Sequence, residues 1–291
     1  MSRRLRLIVN PHAGGGRPLA ALPDVEAALR AAGVEFAVQQ TTGIEHAQVL
    51  ARGAVQAGDV AVSYGGDGLA GAVAHALRGT GGTLGLLPGG RGNDFARKLG
   101  IPADPVEACE LLESGIERRV DLADAGGVAF LGILSAGIDS DVQVIANSTR
   151  LPLGMNVYVY GVLRALASWK HASWTVEIDG EQVGFSGYSV AVANSGVFGG
   201  GMYLVPDASL DDGMLDVALI AAHGKLSYLR GLPRIFKGTH VDDPAFKLLR
   251  GREITFRADR PFTAYADGDP VAPLPLTVRV LPGALRVVTP R

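Results

Sequence analysis

Apolar and polar positions along the first part of the chain fall into a repeating strand–helix rhythm. Short apolar runs at 5–10, 34–40, 60–64 and 84–87 predict strands. Apolar residues at helical spacing predict helices over 19–32, 44–57, 69–77, 94–99 and 105–112. Such alternation with short loops predicts a parallel sheet covered by helices on both faces, with ligands gathered beyond the carboxyl ends of the strands.

The pattern changes after about residue 120. Strands are predicted over 128–135, 174–178, 188–193, 214–221, 253–257, 261–266, 276–280 and 284–288, with turn signals such as Asp179-Gly180, Asp212-Gly213 and Asp267-Gly268 between them. This series predicts an antiparallel sandwich or barrel. Two helices interrupt it, at 156–170 and 225–237. The expected fold is an N-terminal α/β domain in residues 1–122 and a mainly β domain in 123–291. A return of the last strand to the first domain is left open.

Composition narrows the function classes. Hydrophobic residues make up 47% of the 291 and charged residues 19%, the profile of a globular chain with a full core. A formal net charge of -2 supplies no chain-wide basic field, so no nucleic-acid partner is expected. The longest apolar run, near 128–138, falls well short of the roughly 20 residues that span a bilayer, and a cytoplasmic location is expected. The single cysteine, Cys109, excludes an intrachain disulfide and reads as a small core residue on a helix. Six scattered histidines lack metal spacing and are expected at the surface or in loops. Ser135 and Ser195 lack a nucleophile elbow, which leaves a hydrolase triad unsupported.

The chemistry concentrates in three glycine clusters at predicted strand ends. Val60–Tyr64 deliver the chain to Gly65-Gly66-Asp67-Gly68, and a helix leaves it. Glycines there let backbone N–H groups approach an anion, and the helix N-terminus adds favourable potential. Asn10-Pro11-His12-Ala13-Gly14-Gly15-Gly16-Arg17 follows the first strand, and Pro88-Gly89-Gly90-Arg91-Gly92-Asn93-Asp94-Phe95 the fourth. No Walker lysine motif and no G-x-G-x-x-G after the first strand occur.

This ordered set resembles the diacylglycerol kinase catalytic family, which includes bacterial lipid kinases and is related to sphingosine kinases. The resemblance continues through Asn194, the stretch from Pro206 to Val217 and Asp267-Gly268-Asp269-Pro270, so it covers nearly the whole chain. It implies an ATP site in a cleft between the domains. Asn10, Pro11, Gly14, Thr41, Gly65, Gly66, Asp67, Gly68, Leu69, Ala70, Gly71 and Arg91 would then contact nucleotide. Two departures from the family stand out: Leu69 stands where threonine is common, and Gly71-Ala72 replaces an Asn-Glu pair.

Phosphoryl transfer needs a metal to neutralise phosphate charge and a group that orients or deprotonates the attacking hydroxyl. The resemblance implies Mg²⁺ at Asp212 and the carbonyls of Ser209 and Met214, although Asp-Gly between strands is also an ordinary hairpin turn. It places the base in Asp267-Gly268-Asp269, where the family normally has Asp-Gly-Glu. Asp267 and Asp269 stay open for that role, with Asp67 a third candidate. An apolar stripe at Tyr158, Val162, Leu166 and Trp169, beside Val159 and Leu163, is either core or a lipid-facing helix. The loop from Val197 to Tyr203 either lines an acyl pocket or simply turns.

The expected activity is Mg-ATP-dependent phosphorylation of a lipid hydroxyl, most directly that of diacylglycerol. Transient contact with the inner membrane surface would follow, and a homodimer is left open. The alternatives are a catalytically inactive nucleotide- or lipid-binding module and an NAD kinase-like enzyme. An apolar second domain with a Leu-Asp-Asp-Gly turn argues against the latter.

Overall fold

The computed structural model describes residues 3–149 and 156–291. The chain begins with β1 (Leu5–Val9), α1 (Arg17–Ala31), β2 (Phe36–Gln40), α2 (Ile44–Gln56), β3 (Val60–Gly65), α3 (Asp67–Leu77), β4 (Thr83–Pro88), α4 (Asp94–Lys98) and α5 (Pro105–Ser114). β1 pairs in parallel with β2 and β3, and β3 with β4, giving the order β2-β1-β3-β4. Every residue of β3 and β4 is buried, as central parallel strands covered on both faces must be. α5 starts where Asp104 accepts a 2.8 Å hydrogen bond from the Val106 N–H and Pro105 presets the first turn. Cys109 on that helix lies in the core, as its setting predicted.

The remainder comprises β5 (Ile116–Ala125), β6 (Val128–Phe130), β7 (Ile133–Gly137), α6 (Ile138–Ser148), α7 (Asn156–Ser168), β8 (Ala172–Ile178), β9 (Glu181–Ala193), β10 (Val197–Phe198), β11 (Met202–Tyr203) and β12 (Leu215–Ala221). Then follow α8 (Lys225–Ile235), β13 (Phe246–Gly251), β14 (Glu253–Ala258), β15 (Thr263–Ala266), β16 (Asp269–Pro273) and β17 (Leu276–Thr289). β7, β8 and β12 all pair antiparallel with β9, and β14 joins β8 to β17. The expected α/β half followed by a β-rich half is what the chain forms.

Several elements differ from the sequence-based expectation. The separate strands expected at 276–280 and 284–288 are one strand, β17, which runs along β5 and ends parallel to β4. β17 pairs with β5 before and after Pro282-Gly283, which read as a break; the register shifts there, and the Gly283 N–H donates to Asp121 Oδ1 at 2.7 Å. The hairpin partner of β15 is β16, not the 276–280 segment. A third helix, α6, follows β7 directly, and β5 and β13 add strands where none was expected. β13 is an edge strand whose charged pattern, FKLLRG, hides its period.

Two large cores result. One lies around Leu7, Val62, Tyr64 and Leu84 and takes in Leu285 and Val287 of β17. The other lies around Trp174, Val190, Val217 and Phe256. The long strand β17 contributes to both, so it ties the two halves into one hydrogen-bonded sheet.

Candidate functional site

The three glycine clusters meet at the carboxyl ends of β1, β3 and β4. The Asn10 N–H donates to the Tyr64 carbonyl at 3.0 Å, and the Gly89 N–H to the Gly65 carbonyl at 2.8 Å. A Cβ at Gly65 would lie 2.9 Å from Leu69 Cδ2 and 3.3 Å from Asn10 Cβ. Leu69 therefore packs back over the turn, which accounts for an apolar residue at that position. A Cβ at Gly66 would come 3.2 Å from Gly90 Cα, and one at Gly14 would press 2.5 Å from the Gly89 carbonyl oxygen. The loops pack backbone on backbone, and side chains there would force them apart.

α3 opens on Gly66 with no side-chain cap, so its first N–H groups face outward at the positive end of the helix dipole. A small concavity beside it is lined by Gly65, Gly66, Asp67, Asn93 and Phe95 among others. Asn93 shapes its rim: Oδ1 accepts from the Gly90 N–H at 2.8 Å and Nδ2 donates to the Gly90 carbonyl at 3.2 Å. Thr41 lies buried near the same edge, its N–H donating to the Val9 carbonyl at 2.8 Å. Pro11 and Gly14 belong to the adjoining loop, where Arg17 Nε donates to the Gly14 carbonyl at 3.1 Å. Ala70 is buried, Gly71 has open space where a Cβ would stand, and Arg91 is exposed on the loop.

Two carboxylates converge above Gly92. A Cβ there would lie 2.9 Å from Asp67 Oδ2 and 3.0 Å from Asp94 Oδ2. Asp67 is fixed by the Phe95 N–H at 3.3 Å, and Asp94 by the Gly200 N–H at 2.8 Å. Asp94 Oδ1 is buried without a hydrogen-bond partner. Burial pushes the Asp94 carboxyl above its ordinary range, and the nearby Asp67 charge adds to that against the Gly200 hydrogen bond. The converging atoms are Asp67 Oδ2 and Asp94 Oδ2, while Arg97 Nε stands 3.7 Å from Asp94 Oδ1. Two such hard oxygens fit a Mg²⁺ ion, which takes one or two carboxylates plus phosphate oxygens and water. Sequence reasoning passed over Asp94 as a ligand. Its only signal was its place in the Gly-Asn-Asp-Phe run beside the third glycine cluster.

The second half of the chain supplies Asp267 and Asp269 from the β15–β16 turn, whose Asp267 (φ 50°) and Gly268 (φ 98°) form a two-residue hairpin. Asp267 accepts from the N–H groups of Leu131, Gly132 and Ile133 at 3.0, 3.1 and 3.0 Å. Its oxygens are committed to the backbone. Burial raises its pKa to about 6 despite those three donors. Asp269 instead faces the glycine turn: a Cβ at Gly68 would lie 3.6 Å from its Oδ2. Burial also raises the Asp269 pKa. The shorter aspartate reaches across to α3 without a glutamate's extra methylene.

The Asp212 turn lies apart from this cluster. Asp212 Oδ1 accepts from the Met214 N–H at 3.0 Å, and Oδ2 is ion-paired with Arg250, which also meets Asp216 at 3.0 Å. Ser209 Oγ donates to Asp211 Oδ1 at 2.8 Å. The turn follows an irregular segment rather than joining two strands, so it is not a hairpin. A guanidinium already stands where a cation would neutralise Asp212. Among the described residues no cluster of three or more His, Cys, Asp or Glu is arranged for a metal.

Other expectations resolve as packing. His240 is buried, against the expected surface position, with Nε2 2.9 Å from the Leu204 carbonyl and its ring edge-on to Phe246. The loop from Val197 to Tyr203 folds as the β10–β11 hairpin, and its Gly200 N–H holds Asp94. The helical stripe divides: Val162, Leu166 and Trp169 pack on Ile138 and Tyr188, while Val159 and Leu163 face solvent. The Tyr158 side chain lies outside the described residues.

Comparisons with known proteins bear on the family and the fold. Residues 4–125 match the diacylglycerol kinase catalytic domain, and residues 132–289 the YegS C-terminal NAD kinase beta sandwich-like domain. A diacylglycerol kinase of Mycobacterium tuberculosis is 31% identical over 99% of this chain and 96% of its own. A protein of Pseudomonas fluorescens described as a YegS-like lipid kinase is 33% identical over 90% of this chain and 88% of its own. In fold, the chain resembles a crystal structure from Bacillus anthracis described as a diacylglycerol kinase, with a TM-score of 0.84 at 24% identity over 99% of this chain and 95% of that one. The glycine turns, the β-rich second half and these full-length similarities together place the chain in the diacylglycerol kinase and YegS-like lipid kinase family, phosphotransferases with an alcohol group as acceptor.

Proposed function

We propose that this protein transfers the γ-phosphate of ATP to the hydroxyl of a membrane lipid, diacylglycerol first among them. Residues 1–122 would hold the nucleotide and 123–291 the lipid. The observation that carries this reading is the approach of Asp269 to the N-terminus of α3: it sets a carboxylate of the second half against a phosphate-binding turn of the first.

In this reading the backbone of Gly65 to Gly71 binds the phosphates, with Asn10, Pro11, Gly14, Thr41 and Arg91 around the rest of the nucleotide. Asp67 and Asp94 would hold Mg²⁺, which when bound neutralises phosphate charge. Asp269 accepts the proton of the attacking lipid hydroxyl. Its raised pKa brings it closer to the operating pH, where a general base is most effective. Asp267 is a positioning residue: it fixes the turn by its three backbone bonds and leaves Asp269 as the group open to the substrate. The Asp212 turn, with Ser209 and Met214, is closed by Arg250 and braces the second half.

The test is transfer of labelled phosphate from ATP to diacylglycerol, a sphingoid base, ceramide, phosphatidylglycerol and NAD in parallel. Phosphorylation of diacylglycerol with loss in Asp269→Asn is expected. Phosphorylation of NAD alone would overturn the lipid reading. ATP binding without turnover of any acceptor would make the protein a binding module.

A further inference from the structure

The chain carries 29 acidic residues, yet none falls between Val142 and Val176 or between Val217 and Val241. Those stretches contain α7 and α8, which the fold brings together. Lys225 Nζ at the start of α8 donates to the Ala167 carbonyl of α7 at 2.9 Å. Tyr228 and Leu229 of α8 pack on the same cluster as Leu166 of α7, Trp169 just beyond its end, and Ile138 and Val142 of α6. A Cβ at Gly161 would lie 3.1 Å from the Val142 carbonyl oxygen, so α7 rests closely on α6. Three helices thus form one layer against the second half's sheet.

The outward side of this layer combines positive charge with bare apolar groups. On α8, Leu226 (61% exposed), Arg230 and Pro233 follow one helical line, and Phe236 just beyond its end is 54% exposed. On α7, Val159 and Leu163 stand one turn apart at 57% and 51% exposed, with Arg164 beside them. Lys170 and Lys237 add exposed cations at the helix ends. Neither α7 nor α8 contains an acidic residue. A basic, acid-free helix face tipped with leucine and phenylalanine has the character of an interfacial helix that lies in a headgroup layer.

The layer is also joined to the proposed acceptor site. Ser140 Oγ of α6 donates to the Thr263 carbonyl at the start of β15, at 2.8 Å. A Cβ at Gly268 would lie 3.7 Å from Gln143 Nε2. α6 therefore packs directly on the turn that carries Asp269.

We infer that the outer face of α7 and α8 docks on an anionic phospholipid surface and so presents the Asp269 turn to lipid in the bilayer. The inference deepens the lipid-kinase reading and rests on it for its purpose, but the docking can be read without turnover. Charge complementarity selects the occupant: a bilayer of anionic headgroups offers both the negative potential and the apolar interior this face needs.

The experiment is co-sedimentation of the full chain with vesicles of phosphatidylcholine alone and of phosphatidylcholine with phosphatidylglycerol in equal parts, both free of diacylglycerol. Binding to the anionic vesicles, lost at high salt, is expected. Arg230→Gln with Lys237→Gln should weaken it about thirtyfold, since each cation near an anionic surface contributes about fivefold. Leu226→Ser with Phe236→Ser should weaken it as well, while Arg52→Gln on α2 should leave it unchanged. Equal binding to both vesicles, or equal loss in Arg52→Gln, would overturn the inference. So would a change of oligomeric state in the α8 variants without a change in vesicle binding, which would make the face a contact between copies of this chain. Circular dichroism of each variant confirms that it folds. Transfer to short-chain diacylglycerol in detergent micelles separates the two claims. Vesicle binding without any transfer would sink the kinase reading and support docking, whereas transfer in micelles without vesicle binding would do the reverse.

Discussion

Replacing Gly68 by alanine separates what the glycine turn does for stability from what it does for chemistry. Gly68 is the second residue of α3 and is exposed. An added methyl would stand 3.6 Å from Asp269 Oδ2, ordinary van der Waals contact, with nothing else within 4 Å. Alanine is favoured over glycine within a helix by roughly 0.5–1 kcal/mol, so Gly68→Ala should unfold at equal or slightly higher urea. The methyl nevertheless fills the gap in which the γ-phosphate and the acceptor hydroxyl would meet. A displacement of about 1 Å at a reacting centre costs about 10²-fold, and lipid phosphorylation should fall at least that far. Gly90→Ala is the contrast. Its methyl would overlap Gly66 Cα and press within 3.0 Å of Asn93 Oδ1 and 3.2 Å of the Gly66 nitrogen. Backbone cannot yield as a side chain tip can, and overpacking of this kind costs about 1–3 kcal/mol. Urea unfolding and phosphate transfer, measured on both variants, decide the matter. Gly68→Ala at wild-type rate would refute the placement of the reacting groups; Gly68→Ala as unstable as Gly90→Ala would refute the geometry itself.

Asp269→Asn should lower kcat by about 10²–10⁴ with ATP affinity retained, measured by turnover and nucleotide titration. Asp267→Ala should instead destabilise the fold by about 1–3 kcal/mol in urea unfolding, because it leaves three backbone donors unpaired. Asp94→Asn should raise the Mg²⁺ concentration for half-maximal rate, read from a metal titration at saturating ATP. Burial raises the Asp139 pKa to about 6, above the unfolded value near 4, so folding disfavours its ionised form. Its stabilising contribution is full below about pH 4 and lost as pH rises through 6. Asp139→Asn should accordingly gain up to about 3 kcal/mol at pH 7.5 and nothing at low pH, in urea unfolding across that range.

Much of the first half was legible because each of its signals is local. β1, β3 and β4 announce themselves as apolar runs followed by glycine-rich loops, and a parallel sheet places such ends side by side. Leu69 was a harder position. Read against a family pattern it looked like a lost polar contact, and only packing over Gly65 showed it to be part of the turn. In the second half, β13 and the full length of β17 escaped detection because their pairing partners, not their side-chain period, make them strands. α6 was missed because it begins at Gly137 without any break after β7.

The sequence by itself determined the order of glycine and carboxylate turns, the change from α/β to β, and the acid-free stretches that become α7 and α8. These are properties of neighbouring residues, and a linear pattern carries them. Only the tertiary structure gives Asp267 and Asp269 different surroundings, whereas the sequence presents them as near equals two positions apart. A hairpin sends one carboxylate inward to three backbone N–H groups and the other outward to Gly68. It likewise brought Asp94 beside Asp67 and gave Arg250 to Asp212. Such assignments depend on which distant backbone arrives at each oxygen, and that is settled only when the sheet closes.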